Sequence, residues 1–186
     1  MKFKLRHFVF LLSSIFVFSC SSSNESDKPE NEQGATIEVQ QQMKAWDELS
    51  PLGQKILGTY KGIIRDKYWG QSFDSIKEPH EKSENQPENG ISFTQYLDDT
   101  DLNFVDISYL GTNRKLTDIK FDIFLENASD VKDLNNEIKG FLDVKYGKSK
   151  SMGKQTLWSK EKTRIVLEDV STSKDPGLQL LFTQQP

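Results

Sequence analysis

Three segments between residues 91 and 125 alternate apolar and polar side chains, and this two-residue period constrains the fold more than any other feature of the chain. The segments are residues 91–97, 104–110 and 116–125. Alternation with this period places one set of side chains on each face of a strand. Acidic and glycine-containing stretches between the segments are typical of turns. The pattern predicts three strands of an antiparallel sheet, with one face buried and the other in water.

A helical pattern follows over residues 129–146. Ser129 is placed to cap this helix at its N-terminus, and Gly147 is placed to end it. The residues at i, i+3 and i+4 spacing form one apolar stripe, with a lysine stem along its edge. The stripe consists of Val131, Leu134, Ile138, Phe141, Leu142 and Lys145. Three more strands are predicted at residues 155–159, 163–170 and 178–183.

The predicted fold class is α+β, an antiparallel sheet of about six strands with helices packed on one face. The order of the elements divides the chain into two halves, each with a helix followed by three strands. Residues 69–72 and 146–149 both run aromatic, glycine, polar, serine, which is compatible with an internal duplication. Four residues are also compatible with coincidence, so both interpretations stay open.

The N-terminal part of the predicted domain is mostly helix and loop. The predicted elements are a helix over 36–49, a short helix from Ser50-Pro51 to Gly58, an extended segment over 60–69, a short helix over 73–77 capped by Ser72, and a loop over 78–90. Serine before proline is a common start of a helix, because serine caps it and proline suits its first turn. Ile63 and Ile64 are expected to be buried.

The first 19 residues are predicted to be a signal peptide. Lys2, Lys4 and Arg6 provide a basic start, and residues 8–18 are apolar apart from two serines. A small residue, Ser19, precedes the expected cleavage point, which completes the secretory pattern. The apolar run is too short for a transmembrane helix, which needs roughly 20 residues.

The residues Val17-Phe18-Ser19-Cys20 resemble the lipobox of bacterial lipoproteins. The resemblance implies cleavage between Ser19 and Cys20 and lipidation of Cys20. The polar composition of the residues after Cys20 separately predicts a flexible linker, so the predicted plan is a lipidated cysteine and linker over 20–35 and one α+β domain over 36–186. Cys20 is the sole cysteine, so it has no disulfide partner within the chain. Acidic residues in the linker also resemble those of surface-exported Bacteroidetes lipoproteins. The implied location is the outer membrane of a Gram-negative bacterium, with its periplasmic and surface faces both open.

Charge argues against a nucleic-acid partner. Loss of the three basic residues of the leader lowers the formal net charge from −4 to −7. A nucleic-acid-binding domain is expected to carry a basic patch. The membrane partner is instead reached through the lipid on Cys20, and no cofactor motif such as G-x-G-x-x-G or a P-loop is present.

The sequence predicts neither a catalytic residue nor a metal site. His80 is the only histidine after the leader, and it lies in a charged loop. Asp99, Asp101 and Asn103 begin like a calcium loop, but the glycine and the glutamate that such a loop needs are missing. Carboxylates for glycoside hydrolysis could be drawn from Asp106, Asp122, Glu168 and Asp169. Their separation cannot be read from the sequence.

Tyr68 and Trp69 are the candidate residues of a ligand groove, because they stand beside Gly70 at the entry to a predicted helix. Packing in the core is the alternative use of these rings. The C-terminal half, with Trp158 and the strand over 178–182, resembles small exported proteins of unknown function. Its helix-and-strand plan is also similar to lipoproteins of the barrel-assembly machinery and to β-lactamase inhibitor proteins, which bind proteins without catalysis.

These observations favour a membrane-anchored envelope lipoprotein with a non-catalytic binding domain, whose partner is an envelope protein or a small ligand. One alternative is a carboxylate-based hydrolase, which predicts two acids close together in a pocket. Another is a purely structural envelope protein, which predicts a surface with neither a pocket nor an exposed apolar patch.

Overall fold

Residues 30–186 form one open antiparallel sheet and three α-helices. These are the residues that the computed structural model describes, with side-chain burial from residue 37 onward. The predicted signal peptide, the predicted cleavage site at Ser19 and Cys20, and the predicted linker up to residue 29 lie outside the described residues.

The sheet has eight strands, whereas the sequence predicts about six. They are β1 (Glu81–Lys82), β2 (Gly90–Tyr96), β3 (Phe104–Thr112), β4 (Lys115–Phe124), β5 (Lys150–Met152), β6 (Gln155–Lys160), β7 (Thr163–Asp169) and β8 (Gly177–Gln184). The two unpredicted strands, β1 and β5, are the two edges of the sheet. Each has at most three residues, all exposed, so neither shows the alternation that reveals a half-buried strand.

The strand order is β1-β2-β3-β4-β8-β7-β6-β5, with every neighbouring pair antiparallel. The sheet therefore consists of two four-stranded meanders that meet where β4 pairs with β8. Helices precede each meander in the chain. The predicted plan of helix followed by strands is present in both halves, with four strands in each half rather than three. A common origin of the halves stays a prediction.

One face of the sheet carries the core. Ile107, Ile119, Phe121 and Phe182 are fully buried, and Phe121 lies opposite Ile107 on one side and Leu180 on the other. The residues between them in each strand point to the opposite face and are only partly buried. This confirms the one-sided burial that the alternation predicts.

The helices are α1 (Glu30–Asp47), α2 (Pro51–Leu57) and α3 (Ala128–Tyr146), with a 3-10 helix at Phe73–Ser75. α1 begins six residues before the predicted start and so includes the last part of the predicted linker. Ser50 caps α2, as expected, through a hydrogen bond from the Gly53 N–H to the Ser50 hydroxyl (3.1 Å). The same hydroxyl donates to Glu137 of α3 (2.7 Å), which ties the two helices together.

The predicted stripe of α3 is confirmed, since its six residues are the buried residues of this helix. α3 contacts β6, β7 and β8. The predicted cap is wrong: the N-cap is Asn127, without a side-chain capping bond, and Ser129 lies in the first turn. Asp143 fastens the other end, because its carboxylate accepts from the Trp158 indole N–H (2.9 Å) and from Lys139 (2.8 Å).

The sequence predicts an extended segment over residues 60–69, and this prediction is wrong. The chain between α2 and the 3-10 helix forms a compact loop over residues 58–70. Five of its residues have positive φ, which no strand can accommodate. They are Gly58, Gly62, Arg65, Asp66 and Gly70. The loop nevertheless buries Ile63 and Ile64, as predicted.

Candidate ligand groove

The 58–70 loop packs against the C-terminal end of α3 and the turn between β6 and β7, and a groove of about 480 Å³ opens between them. Its wall includes both residues of the predicted groove, Tyr68 and Trp69. The other lining residues are Gln42, Gly62, Ile63, Lys145, Tyr146, Lys160, Glu161, Lys162 and Thr163. Four segments far apart in sequence therefore build this site: α1, the 58–70 loop, the end of α3 and the β6–β7 turn.

Tyr68 and Trp69 occupy different positions in the groove. The Trp69 indole is partly buried and its N–H donates to the Thr163 hydroxyl (3.0 Å), which fixes the ring against β7. Tyr68 is 56% exposed, and its hydroxyl donates to Asp66 (3.1 Å). This hydrogen bond, together with the negative charge of Asp66, raises the pKa of Tyr68. Trp69 is thus a fixed wall, and Tyr68 is a projecting ring at the rim.

Lys145 lies at the base of the groove, in the last turn of α3. The residue is only 6% exposed, so its ammonium is buried together with the stem that the sequence predicts to lie along the stripe. The ammonium donates to the main-chain carbonyls of Tyr60 and Gly62, the latter at 2.8 Å. Burial, followed by the charge of Lys160, lowers the pKa of Lys145 to about 8.

Tyr146 completes the support of the loop. Its hydroxyl donates to the Ile63 carbonyl (2.7 Å), and its ring packs against Phe182 of β8. Burial raises the pKa of Tyr146. Two consecutive residues at the end of α3 therefore hold three carbonyls of the 58–70 loop, so the shape of the groove depends on this helix end.

The turn between β6 and β7 adds charge to the rim. Lys160 forms an ion pair with Glu38 of α1 and donates to the Lys145 carbonyl (3.2 Å). Lys162 is exposed and forms no ion pair within the described part of the chain, and Glu161 lies between the two lysines. The groove is thus locally cationic in an acidic protein.

A second, shallower groove continues from the first between α1 and α3. It shares Tyr146 and Lys160 with the first, and its apolar side chains are Ile37 and Val144. These are 55% and 43% exposed. An aromatic, cationic groove is therefore continuous with an apolar strip on the helices.

The predicted loop histidine, His80, belongs to a buried ionic cluster that the sequence does not reveal. Glu78 accepts from Arg65 (2.7 Å), from Lys67 (3.1 Å) and from the Tyr109 hydroxyl. The side chains of these three charged residues are at most 9% exposed. The half-buried His80 ring lies 3.3 Å from the Arg65 guanidinium. Burial, then the charge of Arg65, lowers the pKa of His80.

This cluster supports the loop rather than a pocket. Burial alone would raise the pKa of Glu78, but hydrogen bonds and charges, chiefly those of Arg65, lower it overall. The guanidinium also donates to the Ile56 carbonyl at the end of α2 (2.7 Å). Arg65 therefore fastens the 58–70 loop to α2 from one side, while Lys145 fastens it to α3 from the other.

The four carboxylates of the hydrolase alternative are not all brought together. Asp106 and Asp122 lie directly opposite each other on β3 and β4 and line a cleft of about 460 Å³ on the outer face of the sheet. Glu168 instead accepts from Gln155 (2.8 Å), and Asp169 accepts from the Ser171 N–H (2.9 Å). The structure thus leaves one candidate pair.

Both members of that pair already have protein partners. Asp106 accepts from the Thr94 hydroxyl (2.6 Å), and Asp122 accepts from Gln179 (2.9 Å) and pairs with Lys120 (2.8 Å). The two carboxylates are therefore engaged by neighbouring side chains, whereas a catalytic pair must be free to contact its substrate.

Within residues 30–186, no group of three or more His, Cys, Asp and Glu side chains is arranged to hold a metal ion. In the aspartate-rich turn between β2 and β3, Asp98 accepts from the Thr100 hydroxyl (2.6 Å) and from the Asn103 side-chain amide, and the Asn103 side-chain oxygen accepts from the Glu126 N–H (2.8 Å). The helices in the described residues include none that is both long and apolar enough to cross a membrane.

Comparison of the chain with protein-family models, with curated proteins and with solved structures found no match. Its function must therefore be inferred from the residues of the chain and their geometry.

Proposed function

We propose that the protein is a lipid-anchored cell-envelope protein whose domain binds a ligand, without catalysis, in the groove that contains Tyr68 and Trp69. The observation that carries the proposal is the way these two residues are presented. One ring is fixed by a hydrogen bond to β7 and the other projects into solvent, on the rim of the same concavity. Ligand sites are typically concave, with apolar and aromatic walls and a few placed polar groups.

The hydrogen bonds that hold the groove in shape favour binding over a purely structural role. Lys145 and Tyr146 place charged and polar atoms in the interior, where they hold the 58–70 loop. Burying such groups is costly unless they are hydrogen-bonded, so their bonds to the loop favour one loop shape. A preformed shape reduces the entropy that ligand binding must overcome.

The rival function is hydrolysis by Asp106 and Asp122. Their direct opposition across β3 and β4 favours it. Their contacts with Thr94, Gln179 and Lys120 oppose it, because these partners occupy carboxylate oxygens that would have to contact a substrate. The groove is therefore the better-supported site.

The test compares two exposed tyrosines. Tyr68 and Tyr96 are 56% and 51% exposed, but only Tyr68 lies on the groove. A panel of envelope-derived metabolites, glycans and peptides is screened against the lipidated protein by calorimetry. We expect Tyr68→Ala to weaken the binding of a hit about tenfold, the scale of a well-packed aromatic contact, and Tyr96→Ala to leave it unchanged.

Two results would contradict the proposal. One is a hit whose affinity falls with Tyr96→Ala and not with Tyr68→Ala, which would place the site on the outer face of the sheet. The other is turnover of a hit that Asp106→Asn abolishes, which would make the protein a hydrolase.

A further inference from the structure

We infer that the groove recognises an anionic group, a phosphate or a carboxylate, and that Lys145 and Lys162 are the residues that bind it. The inference rests on the proposed binding function and names the class of ligand. It depends on three observations: the hydrogen-bond count at Lys145, the charges around the rim, and the position of the groove relative to the predicted anchor.

The Lys145 ammonium has one donor more than the protein uses. An ammonium carries three N–H donors. Two of them go to the carbonyls of Tyr60 and Gly62, and no third acceptor for Lys145 lies within reach among the described residues. The residue is 6% exposed and lines the groove. A buried cation with an open donor is stabilised by an acceptor, and an anion is the strongest acceptor available.

The charges at the rim also favour an anionic ligand. Lys160 is neutralised by Glu38, and its ammonium also donates to the carbonyl of Lys145. Lys162 has no ion pair in the described residues, so it adds a second positive charge to that of Lys145. Glu161 is the one carboxylate that lines this groove. The remaining charge is positive, although the chain as a whole is acidic, and local fields of this kind concentrate ions of opposite sign.

The aromatic residues of the groove indicate the chemistry of the rest of the ligand. Trp69, Tyr68 and Tyr146 line the same groove, so the anion is expected to belong to an organic molecule that covers these rings. A simple ion such as phosphate should bind more weakly, because it makes only the polar contacts.

The position of the groove allows two sources for this anion. Glu38 of α1 lies at its edge, and α1 begins ten residues after Cys20. Ten residues span at most about 36 Å, so a lipid on Cys20 would keep the groove near the membrane. The anion is then either the headgroup of an anionic lipid or a soluble organic anion, and the experiment separates the two.

The test uses the mature lipidated protein in neutral detergent. Phosphate and succinate are titrated by calorimetry, and the protein is separately mixed with vesicles of phosphatidylcholine alone and of phosphatidylcholine with phosphatidylglycerol. The variants are Lys162→Gln and Lys145→Met. The matched control is Lys154→Gln, which removes the same charge from an exposed position between β5 and β6.

We expect Lys162→Gln to weaken binding of the anions about tenfold, and Lys145→Met by at least as much, while Lys154→Gln changes nothing. These factors correspond to the loss of one hydrogen bond to a charged group. A headgroup as the source predicts a lysine-dependent response to the phosphatidylglycerol vesicles, and a soluble anion predicts this dependence for succinate and phosphate alone.

The inference is overturned if neither the anions nor the anionic vesicles bind, or if Lys162→Gln and Lys154→Gln weaken binding equally. Lys162 is exposed, so its variant tests the inference even if Lys145→Met does not fold. A neutral hit that loses affinity with Tyr68→Ala but not with Lys162→Gln would refute the anion and leave the proposed function intact.

Discussion

Two buried cations, Lys145 and Arg65, hold the 58–70 loop from opposite sides. Each donates to main-chain carbonyls of a neighbouring segment: Lys145 to the loop itself, and Arg65 to the end of α2. Their electrostatic environments differ, because Arg65 pairs with Glu78, whereas Lys145 has no carboxylate partner among the described residues. Lys145 is therefore the cation whose charge is costly to bury, and this explains the direction in which its pKa is shifted.

Lys145 is expected to make stability rise with pH above pH 8. Its folded pKa is about 8, below the ordinary lysine value of 10.5, so between these values the unfolded chain binds more protons than the folded one. Stability increases with pH wherever this holds. Between pH 8 and pH 10 the gain should be about 2 kcal/mol. Urea unfolding across this range measures it, and Lys145→Met should remove the gain.

The window ends near pH 10 because tyrosines then act in the opposite direction. Burial raises the pKa values of Tyr146 and Tyr109, so the unfolded chain loses these protons first and stability falls as the pH rises further. The charged groups around Lys145 are Lys160, Lys162 and Glu161 on the β6–β7 turn and Glu38 on α1. A wild-type profile that is flat or falling between pH 8 and pH 10 would contradict the assigned environment of Lys145.

At the scale of the element, the 58–70 loop is the part of the fold that builds the groove. Four main-chain hydrogen bonds close the loop on itself, and its shape depends on residues with positive φ. Gly62 is the most constrained of these. A Cβ at this position would lie 2.5 Å from the Lys67 carbonyl oxygen, and Gly62 supplies one of the two carbonyls that accept from Lys145.

Gly62→Ala is expected to destabilise the protein by about 1–3 kcal/mol, because a left-handed conformation and a main-chain clash are imposed together. It should also weaken ligand binding in the groove, since the carbonyl that positions Lys145 must move. Chemical denaturation and calorimetry measure the two effects.

The control is Gly140→Ala, in which a Cβ on the exposed face of α3 meets no atom within 4 Å. Alanine is a better helix former than glycine, so this variant should be as stable as the wild type or more stable by up to about 1 kcal/mol. Equal losses in both variants would show that the 58–70 loop does not have the proposed shape.

At the scale of the whole molecule, the eight-stranded sheet separates two surfaces of different chemistry. The groove lies at the end of the helical layer, beside α1. The outer face of the sheet carries Asp106 and Asp122 and a set of hydroxyl groups. A lipid on Cys20 would restrict which of these surfaces can contact the membrane. In the proposed function the anchor therefore affects which ligands reach the domain as well as where the protein is located.

Replacing Cys20 by alanine in the full precursor is expected to abolish lipidation and release the protein from the membrane. Wild type should gain the mass of its acyl chains and fractionate with membranes, because two or three chains give stable anchoring. Intact mass and fractionation measure both properties. Release of wild type and variant as the same soluble protein would mean that the resemblance of residues 17–20 to a lipobox is misleading.

The local pattern of the sequence determined most of the fold. The six main strands, the buried stripe of α3 and the cap of α2 were predictable because each depends on residues that are close in sequence and periodic in burial. The edge strands β1 and β5 were not predictable, since short exposed strands have no periodic burial. Tyr68 and Trp69 could be identified as candidate residues of a ligand groove, because they are two adjacent aromatic residues beside a glycine.

Only the tertiary structure decided how the candidate site is built. Lys145 reaches carbonyls 83 and 85 residues earlier in the chain, and Trp69 donates to a hydroxyl 94 residues later. The Glu78 cluster likewise joins a loop residue to Tyr109 of β3. Such contacts depend on which elements meet in space, and no local periodicity encodes them. The charge of the groove is set in the same way, because Lys160 is paired with Glu38, which lies 122 residues earlier in the chain, while Lys162 forms no ion pair among the described residues.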